Sequence, residues 1–196
     1  MSKAFVIAGV FAAGLAVFGG YAVSTSAVHA QDVVDGPGPN LVIEVDGSTT
    51  GTIVIDLLPE VAPKHVAQIV ALAKAGTYDD VVFHRVIDGF MAQTGDVQFG
   101  KAGGTPEAGM GQSDMPNLPA EFSSLSFDRG VIGMARSQDP DSANSQFFIT
   151  LAAAPHLDGQ YTIVGNVISG MDVVDAIQRG EPPETPDVMT KVTVQP

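Results

Sequence analysis

The chain has 196 residues, of which 22 are Asp or Glu and 9 are Lys or Arg, giving a formal net charge of −13. A surface this acidic repels nucleic-acid phosphates and anionic lipid headgroups, which argues against a nucleic-acid-binding protein. No cysteine is present, so disulfides, thiol nucleophiles and a thiol-linked lipid anchor are excluded.

The N-terminal segment differs sharply from the rest of the chain. Lys3 is the only formally charged side chain before Asp32, residues 4–23 are apolar, small or Gly, and small residues precede Gln31. A basic start, an apolar run and a small-residue cleavage site are typical of a secretory signal peptide. We therefore predict a signal peptide over residues 1–30 and export to the periplasm. An uncleaved membrane anchor at residues 4–23 stays open as the alternative, because about twenty apolar residues in a helix reach roughly 30 Å, one hydrocarbon core.

A linker and one domain are predicted to follow. Residues 31–39 end in Asp-Gly-Pro-Gly-Pro, a run that suits neither a helix nor the interior of a sheet. We assign them to a linker and residues 40–196 to a single domain. About 165 mature residues can bury roughly 70% of the surface of the unfolded chain, so this domain can be stable without disulfides.

The predicted elements of the domain are short. Apolar alternation and turn signals predict eight strands, at 41–45, 50–57, 81–87, 90–94, 131–135, 147–150, 161–167 and 188–194. One helix is predicted between Pro63, which suits a first turn, and Gly76, which suits a C-terminal stop; a second is predicted over 171–178. Many short strands, two helices and no βαβ rhythm indicate an antiparallel barrel or sandwich. Residues 99–119 form a Gly- and Pro-rich loop whose length indicates a functional role.

Two of the predicted strand regions combine polar and large apolar side chains on one face. They are residues 83–93 (Phe-His-Arg-Val-Ile-Asp-Gly-Phe-Met-Ala-Gln) and 145–150 (Ser-Gln-Phe-Phe-Ile-Thr). Because strand side chains alternate, Met91 shares a face with Gln93. Gln146 likewise shares a face with Phe148, and Arg85 points away from the preceding His. The pattern indicates a surface that holds an apolar group bearing a carbonyl and forms no covalent bond to it.

Two histidines, His84 and His65, are predicted to have structural roles. His84 is expected to be a hydrogen-bonded interior residue, and His65 is expected on the surface of the first helix. No His-Glu-x-x-His or comparable ligand spacing occurs in the sequence, so neither a metal site nor a cofactor is expected.

The two strand regions together closely resemble the signature of the cyclophilin family of peptidyl-prolyl cis-trans isomerases. Further matches lie at 62–66, 117–122, 129–136 and 157–159, and the resemblance runs from about Asn40 to Val194. The Met-Ala-Arg and Asn-Leu-Pro-Ala-Glu-Phe sequences are similar to the bacterial exported branch. The resemblance implies a mainly β fold, a closed eight-stranded antiparallel barrel capped by two α-helices. It also implies isomerisation of X-Pro bonds in unfolded or flexible polypeptides, without a cofactor.

The resemblance assigns a role to each matched residue. Arg85 is the catalytic residue. An apolar pocket for the proline ring is formed by Phe90, Met91, Phe148 and Leu157. The substrate backbone is positioned by Gln93 and Gln146 and pairs with the edge formed by Ala135 and Arg136, where the family often has Asn instead of this Arg.

Two positions depart from the drug-sensitive members of the family. His156 stands where many members carry Trp, and Tyr161 stands where many carry His. We therefore expect weak or no binding of cyclosporin, and by default a monomer.

The sequence leaves two alternative functions open. One is a non-catalytic proline-peptide binder or holdase on the same fold, and the other is a barrel that carries a small apolar ligand. Arg85 favours an enzyme over the binder, since binding alone does not require it. Bulky strand residues, which fill the interior of a small barrel, disfavour the ligand carrier.

Overall fold

The structure is a computed structural model that describes residues 35–196, so the predicted signal peptide and residues 31–34 lie outside the described part. Within residues 35–196, no helix combines the length and hydrophobicity needed to cross a bilayer. The strands are β1 (Asn40–Asp46), β2 (Gly51–Leu57), β3 (Val81–Val82), β4 (Arg85–Ile87), β5 (Met91–Thr94), β6 (Val131–Met134), β7 (Phe147–Thr150), β8 (Ile163–Ser169) and β9 (Val188–Gln195). The α-helices are α1 (Pro63–Lys74) and α2 (Met171–Ala176), and two short 3₁₀ helices span Pro140–Ser142 and Pro155–Leu157.

All nine strands belong to one antiparallel sheet, in the order β3-β9-β1-β2-β8-β6-β7-β5-β4. In its central ladders Ile43 lies opposite both Ile53 and Val192, and all three side chains are buried. The register shifts at Glu44/Val45 and at Val54/Ile55, and again between β6 and β8. Such bulges increase the local twist, so the sheet curls around its apolar face.

The prediction of a closed eight-stranded barrel is not exact, whereas a mainly β fold with two helices is confirmed. The single strand predicted at 81–87 is two short strands, because Phe83 and His84 separate β3 from β4. β3 pairs with β9 while β4 pairs with β5. The two edge strands, β3 and β4, are therefore consecutive in the chain without pairing with each other, and the nine-stranded sheet does not close on itself.

Helix α1 begins and ends where Pro63 and Gly76 predict. Gly76 adopts a left-handed φ of 68° and its N–H donates to the carbonyl of Ala73, which closes the last turn. The buried side chains of the helix are His65, Val66, Gln68, Ile69, Leu72 and Ala73. Each fully buried aliphatic side chain among them contributes about 1.5–3 kcal/mol.

The prediction that His65 lies on the helix surface is wrong. His65 is fully buried and its Nδ1 lies 2.7 Å from Oε2 of Glu121. Glu121 also accepts the backbone N–H groups of Lys64 and His65 at the start of α1. Burial acts to raise the pKa of Glu121, but these hydrogen bonds outweigh burial and lower it. A carboxylate from the 117–122 segment thus caps a helix whose own N-cap residue, Ala62, has no capping side chain.

The buried apolar side chains fall into two clusters. The larger fills the curled sheet and includes the apolar face of α1. The smaller consists of Met91, Phe127, Val131, Phe148, Ala154, Leu157 and Ile163, with Phe90 and Tyr161 among the half-buried residues packed against it. Several of the predicted site residues therefore belong to this second cluster and not to the main core.

Candidate active site

A pocket of about 350 Å³ opens where β4, β5 and β7 lie side by side. We call it the apolar pocket, after the rings and aliphatic chains of its lining. It is lined by Arg85, Phe90, Met91, Gln93, Ala135, Arg136, Phe148, His156, Leu157 and Tyr161. The structure thus brings together every site residue predicted from the sequence except Gln146, which lies in a neighbouring pocket.

Cross-strand register explains this convergence. Arg85 lies opposite Gln93 in the β4–β5 ladder, and Gln93 lies opposite Phe148 in the β5–β7 ladder. Directly opposed residues project from the same face of a sheet. Three neighbouring strands therefore place a guanidinium, an amide and an aromatic ring in one row, and Gly133 of β6 continues that row opposite Phe148.

Gly133 makes room for the ring of Phe148. A Cβ at this position would lie 2.3 Å from Cζ of Phe148 and 2.7 Å from Cε1 of Phe127. The Phe148 ring stacks on Phe127 with centroids 5.8 Å apart and meets Tyr161 edge-on at 5.9 Å. Neither Gly133 nor Phe127 is among the residues predicted from the sequence; the available signal is a Gly within a strand, which marks a close approach.

Arg85 stands at the rim of this pocket, half-exposed, with one side of its guanidinium engaged. Its Nε donates to Oε2 of Glu181 at 2.7 Å. Within residues 35–196, neither Nη1 nor Nη2 of Arg85 donates a hydrogen bond to the protein. Two donor groups of a permanently charged fork are therefore available to a ligand. Glu181 lies 96 residues from Arg85, and no sequence pattern links the two.

Two amides connect the apolar pocket to its neighbour. Gln93 Nε2 donates to Oε1 of Gln146 at 2.9 Å. Gln146 Nε2 in turn donates to the carbonyls of Gly109 and Gly111, at 3.0 and 2.8 Å. This chain fixes the amide orientations, so that both glutamines present defined donors and acceptors along the groove.

Comparison with known proteins agrees with this geometry. A sequence model of the family described as cyclophilin type peptidyl-prolyl cis-trans isomerase matches residues 41–195. The chain belongs to this family. A probable peptidyl-prolyl cis-trans isomerase of Brucella suis biovar 1 (strain 1330) is 48% identical over 182 residues, which cover 89% of this chain and 91% of that relative. The homologues support an enzyme that isomerises X-Pro bonds.

Solved cyclophilin structures share the fold. A cyclophilin from Hirschia baltica superimposes with a TM-score of 0.68 and 28% identity, covering 79% of this chain and 73% of that one. A cyclophilin from Cryptosporidium parvum, crystallised in the presence of the dipeptide Ala-Pro, superimposes with a TM-score of 0.69 and 26% identity, covering 80% and 99%. The curled sheet with two helices is thus a cyclophilin fold.

A second pocket of about 340 Å³ adjoins the apolar pocket of this cyclophilin. We call it the polar pocket, because amide, hydroxyl and backbone groups dominate its lining. It shares Gln93, Ala135 and Arg136 with the apolar pocket and adds Gln146. Gly109, Met110, Gly111, Gln112 and Asn117 contribute a further wall, so the long loop predicted at 99–119 lies beside the site.

Asp96 holds this loop in place. The side chain is fully buried and accepts backbone N–H groups from Gln98, Phe99, Gly109 and Gly111, at 2.7 to 3.1 Å. Burial acts to raise the pKa of Asp96, but the backbone donors outweigh it and the pKa lies below its ordinary value. The sequence offers no pattern that predicts this role, because the donors come from an irregular loop.

The two positions that depart from drug-sensitive cyclophilins have aromatic or cationic neighbours. The ring of His156 lies 5.4 Å from that of Phe90, tilted by 39°. The guanidinium carbon of Arg136 lies 4.4 Å from the centroid of Tyr161. Both residues thus pack within the apolar pocket's wall.

His84 lies behind the polar pocket. It is buried as predicted, and its neighbours include Asp96 and Gln146. A Cβ on Gly109 would come within 3.0 Å of its ring. Burial lowers the pKa of His84, which keeps the imidazole neutral beneath the loop.

Proposed function

We propose that the apolar pocket receives the proline ring of a flexible polypeptide and that Arg85 catalyses rotation about the preceding X-Pro bond. The single observation that carries this proposal is the row formed by Arg85, Gln93 and Phe148 on three adjacent strands. That row places a permanently charged donor beside an apolar pocket of about 350 Å³. The crystallisation of the Cryptosporidium parvum cyclophilin in the presence of Ala-Pro supports a proline-containing ligand.

The chemistry requires no proton transfer. Amide resonance gives the X-Pro bond partial double-bond character, so that uncatalysed isomerisation takes tens of seconds or longer. In the twisted transition state the resonance is lost, the prolyl nitrogen becomes pyramidal, and its lone pair, delocalised in the planar amide, becomes localised on the nitrogen. A donor directed at that lone pair, or at the displaced carbonyl oxygen, binds more strongly in the transition state than in either planar isomer. This difference lowers the barrier.

Within this mechanism, the remaining residues hold the peptide. Phe148, Met91, Phe90 and Leu157 exclude water from the ring. Gln93 and Gln146 fix the backbone on either side of the proline, and the Ala135–Arg136 edge pairs with the extended chain. Glu181 orients Arg85 through Nε, which leaves its terminal nitrogens to the substrate.

Replacing Arg85 tests the proposal. We expect Arg85→Ala to lower kcat/KM for an Ala-Pro peptide in a protease-coupled assay by at least about a hundredfold, or about 2.7 kcal/mol of transition-state stabilisation. The matched control is Arg129→Ala, which removes another half-exposed arginine, paired with Asp175 outside both pockets. Equal rates for the wild type and Arg85→Ala would contradict the catalytic role of Arg85. A wild-type rate no faster than the uncatalysed reaction would favour a proline-peptide binder or holdase.

We also propose that the protein acts on exported clients in the periplasm as a monomer. The signal-like composition of residues 1–30 supports export, and the monomer is the default expectation. Mass spectrometry of the mature N-terminus tests cleavage after Ala30, with an intact N-terminus on a membrane-bound protein as the contrary result.

Weak or no binding of cyclosporin is a further proposal. It is supported by His156 and Tyr161 in the lining of the apolar pocket, where drug-sensitive members of the family carry Trp and His. A titration that gave a low-nanomolar Kd for the wild type would contradict it.

A further inference from the structure

Arg136 differs from the other arginines of this protein in its partners. Three of the four are paired with carboxylates: Arg85 with Glu181, Arg129 with Asp175 and Arg179 with Asp88. Within residues 35–196, the guanidinium of Arg136 contacts only neutral groups. Its positive charge is therefore not compensated by an adjacent carboxylate.

These neutral partners also fix its position. Nε and Nη2 of Arg136 donate to the carbonyl of Gln160 at 3.3 and 3.0 Å, and Nη1 donates to the carbonyl of Ser137 at 2.9 Å. Tyr161 supports one face of the guanidinium. A cation held this way loses little conformational entropy when a ligand arrives.

Arg136 lies in the wall between the two pockets, because it lines both of them. The protein has 22 acidic residues and a net charge of −13, yet no Asp or Glu in the described part of the chain lines either pocket. Among those same residues, Arg136 supplies the only formal charge in the lining of the polar pocket. Among the described residues, the formal charge that lines the groove is therefore positive on an otherwise acidic protein, and the buried Asp96 carboxylate lies behind the loop wall, engaged by backbone N–H groups.

We propose that the polar pocket with Arg136 selects substrates that carry an acidic side chain close to the proline. The inference rests on the proposed function, since it requires the proline ring to occupy the apolar pocket. An extended chain advances about 3.3–3.6 Å per residue. A side chain one or two residues from the proline therefore reaches Arg136 as the chain crosses the shared wall. An Asp or Glu there meets an uncompensated cation, whereas the rest of the protein surface repels it.

The test is a ratio measured within each enzyme variant. Peptides with a central Ala-Pro carry Glu or Gln one or two residues before the Ala or after the Pro, and kcat/KM is measured for each at low salt. For at least one position we expect about a threefold preference for Glu, the size of a half-exposed ion pair. The preference should fall towards one at about 0.5 M salt because of screening.

Variants separate a charge effect from a structural one. Arg136→Gln should bring the Glu-to-Gln ratio to about one, and Arg136→Lys should restore part of it. Lys74→Gln, which makes the same charge change at an exposed residue outside both pockets, should keep the wild-type ratio.

Two outcomes would contradict the inference. If Arg136→Gln slows both peptides equally and the ratio persists, Arg136 only stabilises the local backbone through its hydrogen bonds to Ser137 and Gln160. Equal turnover of Glu and Gln peptides by the wild type would also overturn the inference while leaving isomerase activity intact; turnover of neither would overturn the proposed function as well.

Discussion

The apolar pocket and the polar pocket share a wall of Gln93, Ala135 and Arg136 but are built in different ways. In the apolar pocket, the register of β4, β5, β7 and β6 fixes one row of side chains, and most of the rest of the lining comes from turns and a short 3₁₀ helix. One wall of the polar pocket comes from an irregular loop that is held by the buried carboxylate of Asp96. One pocket therefore depends on ring packing and backbone ladders, and the other on charge-assisted hydrogen bonds. This difference predicts which substitutions affect which pocket.

The largest effect on stability is expected at Asp96. Asp96→Asn keeps the shape of the side chain but removes its charge and one acceptor oxygen, which leaves buried backbone N–H groups without a strong partner. We expect the free energy of unfolding to fall by about 3 kcal/mol in urea titrations. Hydrogen exchange should accelerate in residues 97–112 more than in β7, which confines the damage to the polar pocket.

A control and a pH series sharpen this prediction. Asp114→Asn makes the same change at an exposed residue of the same loop and should alter stability by less than about 0.5 kcal/mol. Because the pKa of Asp96 is lowered in the folded state, its contribution is fully present above its unfolded pKa. It is lost as the pH falls through the folded value, so the difference between wild type and Asp96→Asn should shrink below about pH 4. A difference independent of pH, or equal exchange in both regions, would contradict the role of the carboxylate.

The apolar pocket should be sensitive to added volume behind Phe148. The Cβ of Gly133→Ala would overlap the Phe148 and Phe127 rings, so the Phe148 ring must move into the pocket. Overpacking of this kind costs about 1–3 kcal/mol, and we expect KM for an Ala-Pro peptide to rise by about tenfold.

A double-mutant cycle tests whether the ring carries this effect. Phe148→Leu shortens the group that Gly133→Ala would strike, so in that background the Gly133→Ala substitution should cost clearly less than it does alone. Additive effects of the two substitutions on KM would show that the clash does not act through Phe148.

A smaller effect is expected for Glu181, which contacts Arg85 from outside both pocket linings. Since the pair is about half-exposed, it is worth up to about 1 kcal/mol. We expect Glu181→Ala to lower kcat about threefold with little change in KM, and Glu181→Gln, which keeps an acceptor for Nε, to recover most of the loss.

The control for Glu181 is Glu184→Ala, an exposed carboxylate of the same segment. It removes the same charge without touching Arg85 and should leave kcat unchanged. In an Arg85→Ala background, Glu181→Ala should have no further effect on the rate. A loss that persisted there would mean that Glu181 acts by some route other than orienting the arginine.

The sequence predicts the strand residues of the apolar pocket better than the loop wall of the polar pocket, for a physical reason. Alternation along a strand determines which side chains share a face, so the sequence alone groups Met91 with Gln93 and Gln146 with Phe148. Register between strands does not follow from alternation. Two features are therefore seen only in the structure. One is the row that joins Arg85 to Gln93, and the other is the break that divides one predicted strand into β3 and β4.

Contacts made by irregular segments do not follow from the sequence. Asp96 and Glu181 act through loops whose backbone path follows no periodic pattern. The burial of His65 escapes prediction because its partner, Glu121, lies 56 residues away in the sequence. The family resemblance supplies the identities of the pocket residues, but not the contacts that hold them in place.

The central claim is that Arg85 accelerates rotation of a proline bond held in the apolar pocket. The most direct test is NMR exchange spectroscopy of an Ala-Pro peptide with wild type and with Arg85→Ala, combined with chemical-shift titration of the methyl group of Met91. We predict that Arg85→Ala still shifts the Met91 signal on peptide addition while its catalysed cis–trans exchange falls by at least about a hundredfold. Undiminished exchange in Arg85→Ala, or exchange without any perturbation at Met91, would contradict the account.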